Sequence, residues 1–169
     1  MSKVRANFAV GQLGKVVGAR LVYGTDLLEG IEELCKVNGI NSATILSCFG
    51  SFQRSGFVYL IPNEDSPIGV GYNNLVVKEG PIEFLQGTGV VCQRDGQFET
   101  HFHGTICDQY GNIYGGHFMK GENPVITVDL VLAETIGMDF QRKFDEETGA
   151  NQFYPVEKKI DKPNQLYHN

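Results

Sequence analysis

The dipeptide Asp95-Gly96 constrains this chain more than any other pair of neighbours in it. A two-residue type I′ turn needs positive φ at both central positions, which aspartate tolerates and glycine adopts freely. The flanks, residues 82–93 and 98–107, are strand-like, so a long antiparallel hairpin is predicted. With the turn at 95–96, Thr88 lies opposite His103, Val90 opposite His101, Cys92 opposite Glu99 and Gln86 opposite Thr105. A second turn over residues 108–112 leads into a strand at 113–119. Centred on Tyr110, that turn sets His103 directly across from His117.

Three of the four histidines fall within these two hairpins, in Thr100-His101-Phe102-His103-Gly104 and Gly115-Gly116-His117. Side chains alternate along a strand, so His101 and His103 share a face and Phe102 takes the other. Facing residues have Cβ atoms about 5 Å apart, close enough for the third imidazole to join them. A single histidine in a strand is ordinarily a hydrogen-bonded core or surface residue. Three in this geometry read as metal ligands, His101, His103 and His117. Three neutral ligands leave one coordination position open, the catalytic pattern for zinc, although imidazole also suits iron, copper and nickel. Thr88, Gln86 and Glu99 fall beside the histidines and are the candidates to orient the rings or a bound water. Gly115 either leaves space over the ion or marks a β-bulge. A one-residue slip in either hairpin destroys the site.

The remainder reads as strands with one helix. Residues 4–10 alternate apolar and polar, 11–14 make a turn, and 16–23 form a second strand. Thr25 caps a helix whose apolar face is Leu27, Leu28, Ile31, Leu34 and Cys35, and Asn38-Gly39 ends it. Residues 42–52 and 56–61 are predicted to pair through a turn at Gln53-Arg54-Ser55, and 62–67 to form a loop. A short strand covers 73–78, Gly80-Pro81 breaks the chain, and 125–135 is the last strand. The expected fold is α+β, mainly antiparallel sheet with one helix after the second strand. One domain is expected over 1–155, followed by a polar tail over 156–169.

The net charge of −6 argues against nucleic acid, since phosphate neutralisation requires clustered Lys and Arg. Lys3, Arg5, Lys15 and Arg20 are read instead as a solvated sheet edge. No apolar run is long enough for a transmembrane helix, and the first residues lack a signal-peptide core. The four cysteines have no Cys-x-x-Cys spacing and are expected as reduced, buried thiols in a cytoplasmic protein.

The segments LVYGTDLLE (21–29), 42–52, GPIEFLQGTG (80–89), His101-x-His103, Gly115-Gly116-His117 and RKFDEETG (142–149) resemble, in order, the plant-and-prokaryote conserved domain. The resemblance covers about residues 3–153. It implies an α+β fold, a homotrimer, and a metal held by the three histidines in bacterial and archaeal members. Plant members join this domain to AT-hooks that bind AT-rich DNA. This chain has no Arg-Gly-Arg-Pro core, so a DNA-binding regulator is the alternative reading rather than the first. A fainter similarity is to acetolactate decarboxylase, which also uses a His-x-His pair and a later histidine for zinc. The expectation is a zinc-binding protein acting on or binding a small molecule, as a hydrolase or lyase if it is an enzyme.

Overall fold

The computed structural model describes residues 5–159. Among them the elements run β1 (Gln12–Leu21), α1 (Leu27–Val37), β2 (Ala43–Val58), β3 (Leu60–Pro62), β4 (Val70–Tyr72), β5 (Val76–Arg94) and β6 (Gln97–Cys107). They continue with β7 (Ile113–Phe118), β8 (Val125–Ile136), β9 (Met138–Asp145) and β10 (Ala150–Glu157). An eight-stranded sheet takes the order β1-β8-β2-β7-β6-β5-β9-β10, and β3 pairs with β4 alone. The sheet is mainly antiparallel but mixed, because β5 meets β9 in parallel at Gln93 and Gln141.

β2 pairs with β5 along most of its length and with β7 at Phe57 and Val58. The four strands β2, β5, β6 and β7 therefore close on themselves. Each sends a phenylalanine inward: Phe52, Phe84, Phe102 and Phe118, all buried, with ring centroids 4.7–6.1 Å apart. Such aromatic contacts add about 0.5–1.5 kcal/mol per pair beyond the area they bury. Two glycines make the room. A Cβ on Gly104 would stand 2.6 Å from the Phe118 ring, and one on Gly87 would collide with Phe102.

Helix α1 follows β1, the first strand, and not a second one. The alternating segment 4–10 builds no strand over its described residues: 5–10 join no sheet ladder, and Phe8 is 77% exposed. A strand exists only where a neighbour receives its N–H and C=O groups. Residues 11–14 are likewise no turn, since β1 pairs with β8 from Gln12 onward with a register shift between Leu13 and Val16.

The helix cap is Asp26 rather than Thr25. Its Oδ1 accepts from the Leu28 and Glu29 N–H groups at 3.1 and 3.2 Å, and its Oδ2 from the Asn123 N–H at 2.8 Å. Asp26→Ala is expected to cost about 2 kcal/mol of stability, the upper end for a cap because a tertiary bond goes with it. A urea titration checks this against Thr25→Ala, which should cost far less. The C-terminus behaves as the sequence implies: Gly39 takes φ +66° and the Ile40 N–H returns to the Cys35 carbonyl at 2.9 Å.

The predicted hairpin at Gln53-Arg54-Ser55 is one continuous strand, β2. Those polar residues find partners in the 122–125 segment: Gln53 N–H donates to the Pro124 carbonyl at 2.9 Å, and Ser55 Oγ to Asn123 Oδ1 at 2.8 Å. Gly80-Pro81 does not break the chain either. It lies within β5, opposite a register shift between Phe52 and Arg54, the kind of bulge at which a sheet admits proline. Beyond Gly137 the chain forms the hairpin β9–β10, which composition did not indicate. Val156 and Glu157 complete β10, while 160–169 of the predicted tail lie outside the described residues.

All four cysteines are free, and Cys35, Cys48 and Cys92 are buried. Burial pushes the Cys48 and Cys92 thiols up to about 12 and that of Cys35 to about 11. These three are expected to react with iodoacetamide at pH 8.5 at least about 100-fold more slowly in the native protein than in guanidinium, because the thiolate is the nucleophile. Mass spectrometry of timed samples reads the difference.

Candidate metal centre

The two hairpins take the registers that the turns dictate. Asp95 and Gly96 both have positive φ, +52° and +77°, and Arg94 faces Gln97 across them. Thr88 then faces His103, Val90 faces His101 and Cys92 faces Glu99. On the other side of β6, His103 faces His117 and Gly104 faces Gly116. Alternation does the rest. Phe102 and Phe118 point into the closed strands, so His101, His103 and His117 project from the opposite face.

The three rings meet. Their centroids lie 4.9–5.3 Å apart, and one nitrogen from each falls within 4.8 Å of the others. His101 Nε2 and His103 Nε2 are 3.0 Å apart. His117 Nδ1 is buried with no hydrogen-bond partner. Tyr72 of β4 packs on His117 with its ring centroid 5.5 Å away.

Electrostatics keep the cluster neutral. Burial, then the Arg142 charge, then His103 lower the pKa of His101 to about 4. Burial, then His101, His103 and Arg142, lower His117 to about 4, and burial lowers His103 as well. Near neutral pH the imidazoles are thus uncharged, the form that offers a lone pair to a metal.

Arg142, from β9, is the residue that sequence reasoning missed. Its side chain is 11% exposed; Nε donates to Glu99 Oε1 at 3.3 Å, and Nη1 lies 3.2 Å from His101 Nδ1. Arginine has only donors, so His101 Nδ1 accepts and the ring proton sits on Nε2, directed at His103. Glu99 consequently reaches the histidines through Arg142 rather than directly. The one available signal was RKFDEETG, which contains Arg142 but gave no strand by composition.

Thr88 and Gln86 line a cavity of about 710 Å³ on the His103 side, and neither bonds an imidazole among the described residues. Gly115 is required for another reason than space over an ion. A Cβ there would stand 2.5 Å from the Gly104 carbonyl, and the β6–β7 register runs without a bulge. A second cavity, of about 780 Å³, opens on the His101 and His117 side and includes Glu99, Arg142 and Tyr72.

The donor set fits a divalent transition ion. The 3.0 Å between the two Nε2 atoms is near the edge of about 3.3 Å that bonds of 2.0–2.1 Å subtend at a tetrahedral centre. The partnerless His117 nitrogen fits too. One adjustment is required: for Nε2 of His101 to ligate, its proton must move to Nδ1 or leave, and a ring protonated at Nδ1 cannot accept from Arg142.

Proteins of known structure resemble this chain over most of its length. A metal-containing protein from Archaeoglobus fulgidus, AF0104, is 29% identical with a TM-score of 0.73, over 88% of this chain and 99% of that one. A plant- and prokaryote-conserved protein from Pyrococcus horikoshii, 24% identical, has the same fold at a TM-score of 0.72, over 89% and 97% of the two chains. The bifunctional protein GlmU of Synechococcus sp. strain JA-3-3Ab is 27% identical over 135 residues, which are 80% of this chain and 20% of that protein. The chain thus spans about one fifth of the length of the curated relatives it matches. The family model of the Plants and Prokaryotes Conserved domain matches residues 8–136. With most of its length matched and its three histidines on adjoining strands, the chain belongs to the Plants and Prokaryotes Conserved domain family.

Proposed function

We propose that His101, His103 and His117 hold a divalent transition ion, zinc in the first instance, whose open side binds or transforms a small molecule. The convergence of three neutral imidazole nitrogens within 4.8 Å carries this reading. The A. fulgidus relative, itself described as metal-containing, supports it. A bound ion of this kind supplies a Lewis acid and lowers the pKa of a coordinated water, which suits hydrolytic or lyase chemistry. The chain's part is to fix the rings by strand register, keep them uncharged and set them beside two cavities.

A homotrimer belongs to the same reading. Leu46, Phe49 and Leu85 are 45–52% exposed around the His103-side cavity, an apolar patch suited to a second copy. Light scattering should then give three times the 18.7 kDa of one chain. Three buried thiols suit a reducing, cytoplasmic setting. Among the described residues no helix is long and apolar enough to cross a membrane.

The DNA-binding alternative draws on names alone. A Ralstonia eutropha structure, 20% identical, is named provisionally for DNA binding, and likeness at that level shows the fold only. A net charge of −6 opposes it.

Elemental analysis of protein purified without added metal tests the proposal. About one ion per chain is expected from a three-ligand site; a negligible content that added zinc does not raise overturns it.

A further inference from the structure

We infer that the cavity beside His101 and His117 takes a small carboxylate, and that Arg142 receives it. The inference deepens the metal reading and rests on it only for what the far end of the molecule meets. At about 780 Å³ the cavity is of a size common for small-ligand sites, about 300–1,000 Å³. Arg142 lines it with a guanidinium that is nearly buried and permanently charged.

Two observations say that this charge is incompletely answered. Glu99 lies between two guanidinium groups: its Oε1 accepts from Arg142 Nε at 3.3 Å, while its Oε2, 2.8 Å from Arg94 Nε, makes no hydrogen bond among the described residues. The other charges in the wall do not remedy this, because Glu32 pairs with Lys120 and Asp95 sits on the exposed turn. Then there are the donors. Of the five N–H groups of Arg142, Nε and Nη1 alone have acceptors among the described residues, and Nη1 has only a neutral ring nitrogen at 3.2 Å.

A planar fork with spare donors matches a carboxylate in two parallel hydrogen bonds. A monoanion suits this site better than a phosphate dianion, which would set a second negative charge against Glu99. Arg142 stands on β9, beyond residues 8–136 that the family model matches.

The test uses lactate as the probe, with lactamide as its neutral counterpart and inorganic phosphate as the alternative anion. Ligand-observed NMR would be recorded on the full chain as purified and after chelation, with metal content measured on each sample. Lactate should bind wild type in the millimolar range and lactamide at least about tenfold more weakly, as loss of a charge-assisted pair implies. Arg142→Gln should lose at least about tenfold in lactate affinity at equal metal content, and Arg142→Lys should recover only part, since the ammonium keeps the charge but lacks the fork. Circular dichroism confirms that the variants compared are folded. Equal binding of lactate and lactamide, undiminished binding by Arg142→Gln, tighter binding of phosphate, or no lactate binding to wild type each overturn the inference. Metal bound without Arg142-dependent lactate binding would sink the carboxylate site and leave the metal reading standing. Arg142-dependent lactate binding by a protein that takes no metal would do the reverse.

Discussion

His103→Ala is expected to purify with almost no metal, from about one ion per chain in wild type to below about 0.1, because the loss of a direct ligand exceeds the 10–100-fold that even an outer partner costs. His103 is the best of the three to remove. It is exposed, whereas His101 and His117 are half-buried, and its opposite number across β5 is Thr88. Truncating an exposed strand residue changes stability by about 0.5 kcal/mol or less. The chelated forms of wild type and variant should therefore melt together, while the as-purified wild type melts higher, since a ligand that binds only the native state stabilises it. Equal metal in both proteins would remove His103 from the site. Lower melting of the chelated variant would show that unfolding, not ligand loss, explains its metal content.

The largest stability effect is expected at Asn123. This residue is fully buried, yet every polar atom of its amide is used. Oδ1 accepts from Ser55 Oγ at 2.8 Å and from the Gly56 N–H at 3.2 Å; Nδ2 donates to the Gly56 and Met119 carbonyls at 3.2 and 2.8 Å. Its backbone N–H reaches Asp26 Oδ2. One side chain thus ties β2 to the segment leaving β7, and the backbone of the same residue holds the helix cap. Asn123→Ala removes four hydrogen bonds and strands buried partners where water has no access, at a cost of about 3–5 kcal/mol. Asn123→Asp keeps the acceptor but loses both donors and buries a charge, so it should be no milder. Urea unfolding measures both. A loss under about 1 kcal/mol for Asn123→Ala would mean that the network is not what holds these segments.

The centre of the fold was legible in the sequence because its determinants are local. Asp95-Gly96 specifies a turn by backbone sterics, the turn specifies a register, and period-two alternation then decides that Phe102 points one way and His101 and His103 the other. His103 opposite His117 followed from the second turn by the same logic. The helix was legible for a similar reason, although the capping residue was displaced by one position, from Thr25 to Asp26.

What escaped depended on partners distant in the chain. Gln53, Arg54 and Ser55 have turn composition, and they extend β2 because β5 pairs with Arg54 and Ser55 while residues 122–125 supply further hydrogen bonds and Glu122 meets Arg54 at 3.2 Å. The alternation over 4–10 is as regular as that of a strand, but no strand pairs with the backbone of 5–10 among the described residues. Arg142 could not be placed at all, because β9 is held by β10 and a single parallel pairing to β5. So the sequence by itself determined the three histidines, their shared face and their register, which rest on sterics within two tight hairpins. Only the tertiary structure decided that a buried arginine stands against one of them, because that contact spans 41 residues and exists only once β9 has docked.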